Sequence, residues 1–428
     1  MMRLRAPVPQ LDRGAVYETE GCGFKSRQAR QSSCALPSRR ALLCWGCLLD
    51  HDIIIVGAGP AGLSTGLHLA QLAPELAGRT LILERAHHPR PKLCAGGIMP
   101  GGEAWLKNLG LDLNSVPAIE THEAHFLFEG RGFVVHRDPF VFRIVRREEF
   151  DAWLAGAARA QGLMLQEDTH VQRVRCLEDL VEVETDRGTY RARAVVGADG
   201  ATSVVRRLIP RQRAARASRL LEILVPASLE ATPSWTTERD RALLDFSCMA
   251  DGVQGYVWDF PTQVQHRPMR TQGIFDSRVQ PRAPRAPLKA VLQEALARLG
   301  TVLDSYELDG HPLRWLHPRN IMSIPRVLLV GDAAGVDPLL GEGISFALGY
   351  GDVAARALRD AFARGDFSFK DYRERVLNHR IGRFLRRRAA VAGLIYRVHS
   401  RRLLRFLWWN LGPLVGRLAE HVLVDWGE

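Results

Sequence analysis

The stretch that decides the fold is Asp52-Ile53-Ile54-Ile55-Val56-Gly57-Ala58-Gly59-Pro60-Ala61-Gly62. After Asp52 it begins as a continuous apolar, β-branched run, which is what a parallel strand buried on both faces requires. The run ends directly at a Gly-x-Gly-x-x-Gly turn, and apolar residues then continue at helical spacing through Leu63, Leu67 and Ala70. A second apolar run, Thr80-Leu81-Ile82-Leu83-Glu84, ends on an acid. This order predicts a strand, a helix and a second parallel strand.

The spacing within this βαβ unit is typical of a dinucleotide site. Gly57 permits the tight turn, Gly59 lets the backbone approach a pyrophosphate, and Gly62 lets the helix pack close to the strand. The N-terminus of the helix faces the phosphates, and Glu84 lies where a carboxylate can accept a hydrogen bond from a ribose hydroxyl. The predicted cofactor-binding residues of this unit are Gly57, Gly59, Pro60, Ala61, Gly62, Glu84 and Arg85.

Two later Gly-Asp turns favour FAD over NAD. Ala194-Val195-Val196 leads into Gly197-Ala198-Asp199-Gly200, and Val327-Leu328-Leu329-Val330 leads into Gly331-Asp332-Ala333. A carboxylate that follows a buried strand beside a helix N-terminus can bind a ribityl hydroxyl, and an NAD-only fold has no need of two such turns. The helix that begins near Gly341 can offer its N–H groups and positive end to a flavin's N1–C2=O region. We therefore predict non-covalent binding of FAD.

Length and charge indicate the number of domains and the surfaces that the chain can contact. The 428 residues exceed the length at which one hydrophobic core stops growing, so two domains are expected. Hydrophobic residues make up 46% and charged residues 25%, as in ordinary globular proteins. The net charge of +11 is concentrated before residue 50 and between Arg373 and Arg417. This asymmetry indicates contact with an anionic surface, phospholipid or nucleic acid, or else a coding bias towards arginine at tolerant surface positions.

The cysteine pattern argues against a disulfide-rich protein and against a zinc site. Seven cysteines at irregular spacing do not form a disulfide framework, so we expect a reducing, cytoplasmic compartment. Cys44-Trp45-Gly46-Cys47 has no second CxxC or His pair to complete a zinc site, and no metal is predicted. Residues 1–50 show no sustained period, and we interpret them as an unstructured presequence or an extension from a start placed too far upstream.

Residues 52 to about 360 resemble the FAD-dependent oxidoreductases of the p-hydroxybenzoate hydroxylase structural class. The resemblance rests on three fingerprints in order, Gly57–Gly62, Gly197–Gly200 and Gly331–Ala333. In that class an arginine lies near the FAD. The resemblance implies Arg147 for this position, with the adjacent Arg146 as the alternative.

A narrower resemblance, to the geranylgeranyl reductase family, rests on Lys92-Leu93-Cys94-Ala95-Gly96-Gly97, Tyr256-Val257-Trp258-Asp259-Phe260-Pro261 and Pro338-Leu339-Leu340-Gly341-Glu342-Gly343-Ile344. The chain departs from the family pattern at Ala95, where a glycine is usual, so the flavin loop can differ there. No motif matches after about residue 375. The resemblance implies that the flavin is contacted by Cys94, Gly96, Gly97, Gly341, Gly343 and Ile344. It also implies that the substrate is contacted by Tyr256, Trp258, Phe260 and Pro261.

The chemistry of two of these segments has alternative explanations. Cys94 is predicted to be catalytic, as a thiol that moves a proton or shields a face of the flavin, but a free cysteine is often only a small buried hydrophobe. Tyr256, Trp258 and Phe260 share one face of a strand, where they can roof a long apolar substrate or simply form core. Asp276, His311 and His317 are assigned no role.

The C-terminal segment combines arginines with apolar residues at helical spacing. Arg383, Arg386, Arg387 and Arg388 precede Leu403-Leu404-Arg405-Phe406-Leu407-Trp408-Trp409. The apolar run is too short and too broken for a transmembrane helix, so we expect an interfacial helix or a helix packed on the catalytic domains.

The predicted fold is α/β: a three-layer, Rossmann-like FAD domain with an interleaved antiparallel β-sheet substrate domain and a helical C-terminal segment. The FAD domain is assigned residues 51–120, 145–215 and 318–375, the substrate domain residues 121–144 and 216–317, and the basic amphipathic segment residues 376–428.

The resemblance implies an FAD-dependent reductase that saturates carbon–carbon double bonds of a geranylgeranyl or polyprenyl group on a lipid, pigment or quinone. NADPH or another reductant would dock transiently, since no second full Gly-x-Gly-x-x-Gly is present. A peripheral membrane contact through the C-terminal segment is expected, and a nucleic-acid partner is not. One alternative is an FAD monooxygenase or halogenase, since a similar W-x-W-x-I-P pattern occurs in flavin-dependent halogenases, although the lysine on which they rely cannot be identified in this sequence. The other is a non-catalytic prenyl-binding escort.

Overall fold

The computed structural model describes residues 49–210, 217–227 and 241–420. The Cys44–Cys47 motif and almost all of the predicted N-terminal extension lie outside these ranges. The strands are β1 (His51–Val56), β2 (Thr80–Leu83), β3 (Gly97–Ile98), β4 (Ala118–Thr121), β5 (Glu123–Phe128), β6 (Arg131–His136), β7 (Phe142–Val145), β8 (Met164–Gln166), β9 (Val171–Cys176), β10 (Val181–Thr185), β11 (Gly188–Gly197), β12 (Ala217–Pro226), β13 (Ala242–Asp245), β14 (Gly255–Val264), β15 (Arg267–Asp276), β16 (Asp309–Arg314), β17 (Ser323–Ile324) and β18 (Val327–Leu329).

The α-helices are α1 (Pro60–Leu72), α2 (Pro74–Ala77), α3 (Pro100–Asn108), α4 (Arg147–Ala160), α5 (Leu288–Arg298), α6 (Gly331–Ala334), α7 (Ile344–Arg364), α8 (Tyr372–Asn378), α9 (Arg380–Ile395), α10 (Arg401–Arg405) and α11 (Gly412–Ala419). A π-helical turn, Phe406–Asn410, joins α10 to α11.

The first sheet is the mostly parallel one that the opening motif predicts. Its strand order is β17-β18-β11-β1-β2-β8, with β1 paired in parallel to both β11 and β2. Asp52 to Val56 are all buried, as a central parallel strand requires. Strands β9 and β10 extend β11 as an antiparallel ribbon, and α1 packs along α7. This is the predicted Rossmann-like arrangement.

The second sheet has seven strands in the order β16-β12-β15-β14-β13-β5-β6. Its strands come from residues 123–136, 217–276 and 309–314, so in sequence they alternate with strands of the first sheet. Every neighbouring pair is antiparallel except β13 and β5, which run parallel. This pair is possible because a long stretch of chain, not a hairpin, connects the two strands. The interleaving was predicted, whereas the parallel pair was not; the domain boundaries stay predictions.

Opposite faces of the second sheet bury different side chains. One face packs against α5 through aliphatic residues such as Ile223, Val257, Ile274 and Leu292. The other carries the aromatic residues of β14, and the helical C-terminal segment packs Tyr396, Leu404 and Trp408 into the same cluster. A small third sheet, β3-β7-β4, completes the fold. Within the described ranges no helix is long and apolar enough to cross a bilayer.

Candidate active site

A single cavity of about 510 Å³ draws its lining from both large sheets. Its volume is within the range of small-molecule sites. One part of the lining is polar and contains Gly57, Gly59, Pro60, Ala61, Glu84, Arg85, Arg147, Asp199 and Asp332. Another part is apolar and contains Phe142, Leu244, Tyr256, Trp258, Phe260 and Phe275. The fold therefore brings the predicted cofactor and substrate residues to one space.

Two helix N-termini open into this cavity. Helix α1 begins after Gly59 and α7 begins after Gly343, and neither helix has a side-chain cap or an acid in its first turn. The first N–H groups of a helix have no intrahelical partner, and the helix dipole adds a partial positive charge there. Both helix ends can therefore bind anionic or acceptor groups of a ligand.

The glycine turn depends on close backbone contacts. Gly57 has a φ of +104°, a conformation that glycine adopts readily. A Cβ at Gly62 would lie 2.0 Å from the Gly57 carbonyl oxygen, which explains the predicted helix–strand packing role. Gly62 does not itself line the cavity, whereas Gly59 does. At Gly59 an added Cβ would meet no atom closer than 3.7 Å, so the backbone there is open to a ligand.

The three predicted carboxylates are held differently. Glu84 accepts a hydrogen bond from the Ala58 N–H (2.9 Å), which ties β2 to the glycine turn. Asp199 accepts from the Val204 N–H (2.6 Å) and so supports its own loop. Asp332 faces the cavity, and among the described residues no hydrogen bond engages its carboxylate. Burial raises the pKa of Asp332, while Lys92 and Arg147 oppose the shift. Asp332 is thus the carboxylate most available to a ligand hydroxyl.

The structure separates the two candidate arginines. Arg147 is buried, lines the cavity and makes a bidentate pair with Asp151, at 2.8 and 2.7 Å. Arg90 contacts the same carboxylate at 3.2 Å. Arg146 instead pairs with Glu148 (3.0 Å) and is absent from the cavity lining. The cavity therefore meets Arg147 and not its neighbour.

Cys94 lies in the cavity wall near Arg147. Its sulfur accepts from the Gly96 N–H at 3.4 Å, and burial raises the pKa of the thiol despite the opposing charge of Arg147. Gly96 has a φ of +81°, whereas Ala95 is not among the residues with positive φ. The departure from the family pattern at Ala95 therefore causes no backbone strain. Gly97 also lines the cavity.

Three alternate residues of β14 form the aromatic wall. Tyr256, Trp258 and Phe260 are each at most 6% exposed, and all three line the cavity. The Tyr256 hydroxyl donates to the Leu340 carbonyl oxygen (2.5 Å), which joins the wall to the segment before α7. Pro261 follows on the opposite face and does not line the cavity.

The segment before α7 contains Gly341 and Gly343 and leads to Ile344, the first residue of that helix. It is held in place by a residue to which no sequence motif pointed. Arg388 of α9 is fully buried and donates to Asp337 (2.7 Å) and Glu342 (2.6 Å). Tyr396, the residue after α9, donates to the Leu339 carbonyl oxygen. The basic C-terminal segment is therefore part of the site's support, at least through α9.

Three further cavity residues were also missed. Lys92 donates to Nε2 of His311 (2.8 Å), and burial together with nearby cations lowers the pKa of His311 to about 4. Glu222 of β12 is 4% exposed and lines the cavity beside the aromatic wall. The signal for Glu222 was present in the sequence, since it is the single charge in the apolar run from Leu220 to Val225.

These features fit FAD by their chemistry. Two uncapped helix ends suit a pyrophosphate and a flavin carbonyl, the open backbone at Gly59 suits close approach, and the unengaged carboxylate of Asp332 suits a ribityl hydroxyl. The fold and the site thus define an FAD-binding protein built on two interleaved sheets.

Comparison with known proteins gives the family. The model of the FAD binding domain family matches residues 50–349. Digeranylgeranylglycerophospholipid reductase 1 of Methanopyrus kandleri is 30% identical over 345 residues, covering 76% of this chain and 86% of that protein. A geranylgeranyl bacteriochlorophyll reductase-like protein of Thermoplasma acidophilum has a similar structure, with a TM-score of 0.70, 20% identity and coverage of 86% and 92%. The flavin-dependent halogenase CmlS is also similar, with a TM-score of 0.59, 23% identity and coverage of 78% and 62%.

The chain therefore belongs to the FAD binding domain family, as an FAD-dependent oxidoreductase of the geranylgeranyl reductase family within the p-hydroxybenzoate hydroxylase class.

Proposed function

We propose that this enzyme reduces carbon–carbon double bonds of a geranylgeranyl or other polyprenyl group carried by a lipid, pigment or quinone. The observation that carries the proposal is the continuity of one cavity from the two helix N-termini to the wall of Tyr256, Trp258 and Phe260. A relative named for reduction of a digeranylgeranylglycerophospholipid supports the same substrate class. An apolar aromatic wall suits a prenyl chain because burying its methylene and methyl groups is favourable.

The residues that would hold FAD are those of the polar lining. Gly57, Gly59 and the N-terminus of α1 would bind the pyrophosphate, with Gly62 allowing the helix to approach; Glu84 and Arg85 would bind the adenosine ribose region, and Asp332 the ribityl chain. Asp199 would support this region through its loop. Gly341, Gly343 and Ile344 at the start of α7 would face the flavin ring, with Cys94, Gly96, Gly97 and Arg147 around it. Bound there, the reduced flavin supplies the hydride equivalent for the double bond.

Cys94 would act as a neutral thiol. Because burial raises its pKa, the group keeps its proton at neutral pH and can pass it on or shield one face of the flavin. The proton needed at the substrate would come from Cys94 or from a water in the cavity. NADPH or another reductant would reduce the flavin from outside.

We further propose that the enzyme works in the cytoplasm at a membrane surface. Half of the exposed large apolar side chains in the described ranges belong to the C-terminal helices: Leu394, Leu403, Phe406, Trp409 and Leu414. Exposed arginines such as Arg397, Arg402 and Arg417 accompany them. An apolar surface with basic neighbours suits insertion into an anionic headgroup layer, from which a prenyl lipid would reach the cavity.

The second candidate is an FAD monooxygenase or halogenase. It is favoured by the likeness to CmlS and by Lys92, a lysine that does lie in the cavity. In that case an aromatic compound would occupy the wall of β14 and the reaction would consume oxygen. The third, a prenyl-binding escort without activity, predicts a colourless protein without bound flavin.

Anaerobic turnover distinguishes these functions. The purified flavoprotein is reduced without oxygen, mixed with geranylgeranyl lipids or quinones, and the products are analysed by mass spectrometry. The reductase proposal expects products heavier by two hydrogens for each double bond. It is wrong if no prenyl compound gains hydrogen while an aromatic compound stimulates oxygen consumption.

A further inference from the structure

The cavity face of the second sheet is a regular grid of side chains. Strand registers align Leu220 with Phe275 and Tyr256, Glu222 with Gly273 and Trp258, and Leu224 with Thr271 and Phe260. Because side chains alternate along a strand, all nine positions belong to the same face. Glu222 is the one carboxylic acid among these nine residues.

Gly273 brings Glu222 and Trp258 together. A Cβ at Gly273 would lie 2.3 Å from the Trp258 ring, so the indole covers the glycine and leaves no side chain between itself and the carboxyl. The Trp258 Nε1–H donates to the Thr271 hydroxyl (3.4 Å), and the same hydroxyl opposes the rise in the pKa of Glu222. The carboxyl thus shares the cavity lining with the aromatic wall.

One oxygen of this carboxyl is unused. Glu222 Oε2 is buried and has no hydrogen-bond partner among the described residues, although the side chain lines the cavity. An ionised, unpaired carboxylate facing a prenyl chain would be costly, whereas a neutral carboxylic acid there has a proton to give. A buried acid without a partner in an apolar wall has no evident structural benefit.

Building on the proposed prenyl reduction, we propose that Glu222 is the proton donor of the reaction. The π bond of the substrate breaks: one carbon takes the hydride equivalent of the reduced flavin, and the other forms a C–H bond with the Glu222 proton. The electrons of the broken O–H bond stay on the carboxylate, which regains a proton from solvent before the next turnover. In this scheme Glu222 takes the place of Cys94 or a cavity water as the direct donor, and Cys94 relays the returning proton or shields the flavin.

The electrostatic surroundings agree with a neutral acid at working pH. Burial raises the pKa of Glu222 from 4.5 to about 7, with Glu148 and Asp309 adding to the rise. Arg146 and the hydroxyl of Thr271 oppose the rise, and Cys94 is a further titratable group that interacts with Glu222. The donor form is therefore abundant below pH 7 and is lost as the pH rises through that value.

The test uses the full-length flavoprotein, pre-reduced anaerobically and mixed with geranylgeranyl lipid at a series of pH values. In wild type, the rate of flavin reoxidation by substrate is expected to decline above pH 7. Glu222→Gln is expected to slow this reoxidation by about 10²-fold or more and to remove its decline above pH 7. Glu222→Asp should restore part of the rate. Glu294→Gln, at an exposed position of α5, is the matched control and should behave as wild type.

Thermal unfolding gives a readout that does not depend on turnover. Between pH 4.5 and about 7 the folded carboxyl holds a proton that the unfolded chain releases, so this group makes stability fall as pH rises through that window. Glu222→Gln should remove this contribution and raise the Tm relative to wild type at pH 8.

The outcomes separate the two proposals. A wild type that reduces prenyl lipids, matched by Glu222→Gln in rate and pH profile, overturns the donor role alone. A wild type that reduces none overturns the proposed function and the donor role with it, even if the Tm profile identifies a neutral carboxyl.

Discussion

Single residues set the chemistry of the cofactor end of the cavity. Gly62 has no space for a side chain. The helix that begins at Pro60 approaches the glycine turn so closely that any side chain at this position would overlap the Gly57 carbonyl. The same helix contains the uncapped N-terminus that faces the cavity. Cofactor binding and backbone packing therefore depend on the same few atoms.

Replacing Gly62 by Ala is expected to displace the helix N-terminus and to release most of the bound flavin. The ratio of flavin to protein absorbance in the purified variant measures this loss. Gly156→Ala is the matched control, since a Cβ there meets no atom within 4 Å in the middle of α4. It should keep the flavin and stabilise the protein by about 0.4–1 kcal/mol. Full flavin content in the Gly62 variant would contradict the proposed packing role.

Cys94→Ala is expected to retain FAD and to slow turnover by about tenfold, about 1.4 kcal/mol in the barrier. The thiol lies in the cavity wall, so its loss should affect the reaction more than the fold. Steady-state rates with a prenyl lipid, together with the flavin spectrum, provide the measurement. Cys176→Ala, at an exposed thiol, serves as control. Unchanged turnover in the Cys94 variant would remove its proposed role.

At the scale of elements, α9 links the C-terminal segment to the flavin end of the cavity. Its buried Arg388 pairs with Asp337 and Glu342, which flank the loop that leads into α7. In a buried group of one cation and two carboxylates, the loss of any one residue is destabilising, because it leaves a buried charge uncompensated. The position of the α7 N-terminus therefore depends on a helix that carries no family motif.

Arg388→Met is expected to lower the free energy of unfolding by about 3–5 kcal/mol, because Asp337 and Glu342 are left buried without their cation. Chemical denaturation monitored by circular dichroism measures the change. Arg386→Met, at an exposed position of the same helix, should change stability little. Combining Arg388→Met with Asp337→Asn and Glu342→Gln should recover part of the loss. If Arg388→Met were as stable as wild type, the ion pairs of Arg388 with Asp337 and Glu342 would not support the loop.

At the scale of the whole molecule, the two sheets meet at one cavity and the C-terminal helices lie against the outer strands of the second sheet. Arg405 pairs with Glu129 at 2.5 Å, and Trp409 donates to the Phe128 carbonyl oxygen. The segment is thus packed on the second sheet and partly exposed, as in the second of the two alternatives that the sequence left open; the interfacial alternative stays a prediction. Its exposed apolar residues are the basis of the proposed membrane contact.

Changing Leu403, Phe406 and Leu414 together to Ser is expected to weaken binding to anionic phospholipid vesicles, since these side chains supply exposed apolar area without supporting the core. Co-sedimentation with vesicles of anionic and of zwitterionic lipid measures the fraction of protein bound. Changing Val302 to Ser removes an equally exposed apolar residue elsewhere and should have no effect. Equal binding by wild type and the triple variant would exclude this surface as the contact.

Much of the fold followed from local sequence. The parallel strand, the glycine turn and the acid after β2 lie within 33 residues of one another, and steric and hydrogen-bonding rules act over that distance, so a dinucleotide site was predictable. The two later Gly-Asp turns, at Asp199 and Asp332, are equally local and made FAD the predicted cofactor. Arg147, Cys94 and the aromatic alternation on β14 were likewise predicted to lie at the site, and the structure brings them to one cavity.

The remaining features depend on contacts between distant parts of the chain. Lys92 meets His311 across 219 residues and Arg388 meets Asp337 across 51, and no local pattern marks either partner. Glu222 is a charge within an apolar run of sequence and was missed, and the strand registers and the cavity lining reveal that it lies beside Trp258 and within the cavity. Sequence by itself determined the cofactor and the family, because binding turns are local. The tertiary structure alone decided which buried charges share the cavity, because burial and proximity are properties of the packed sheet.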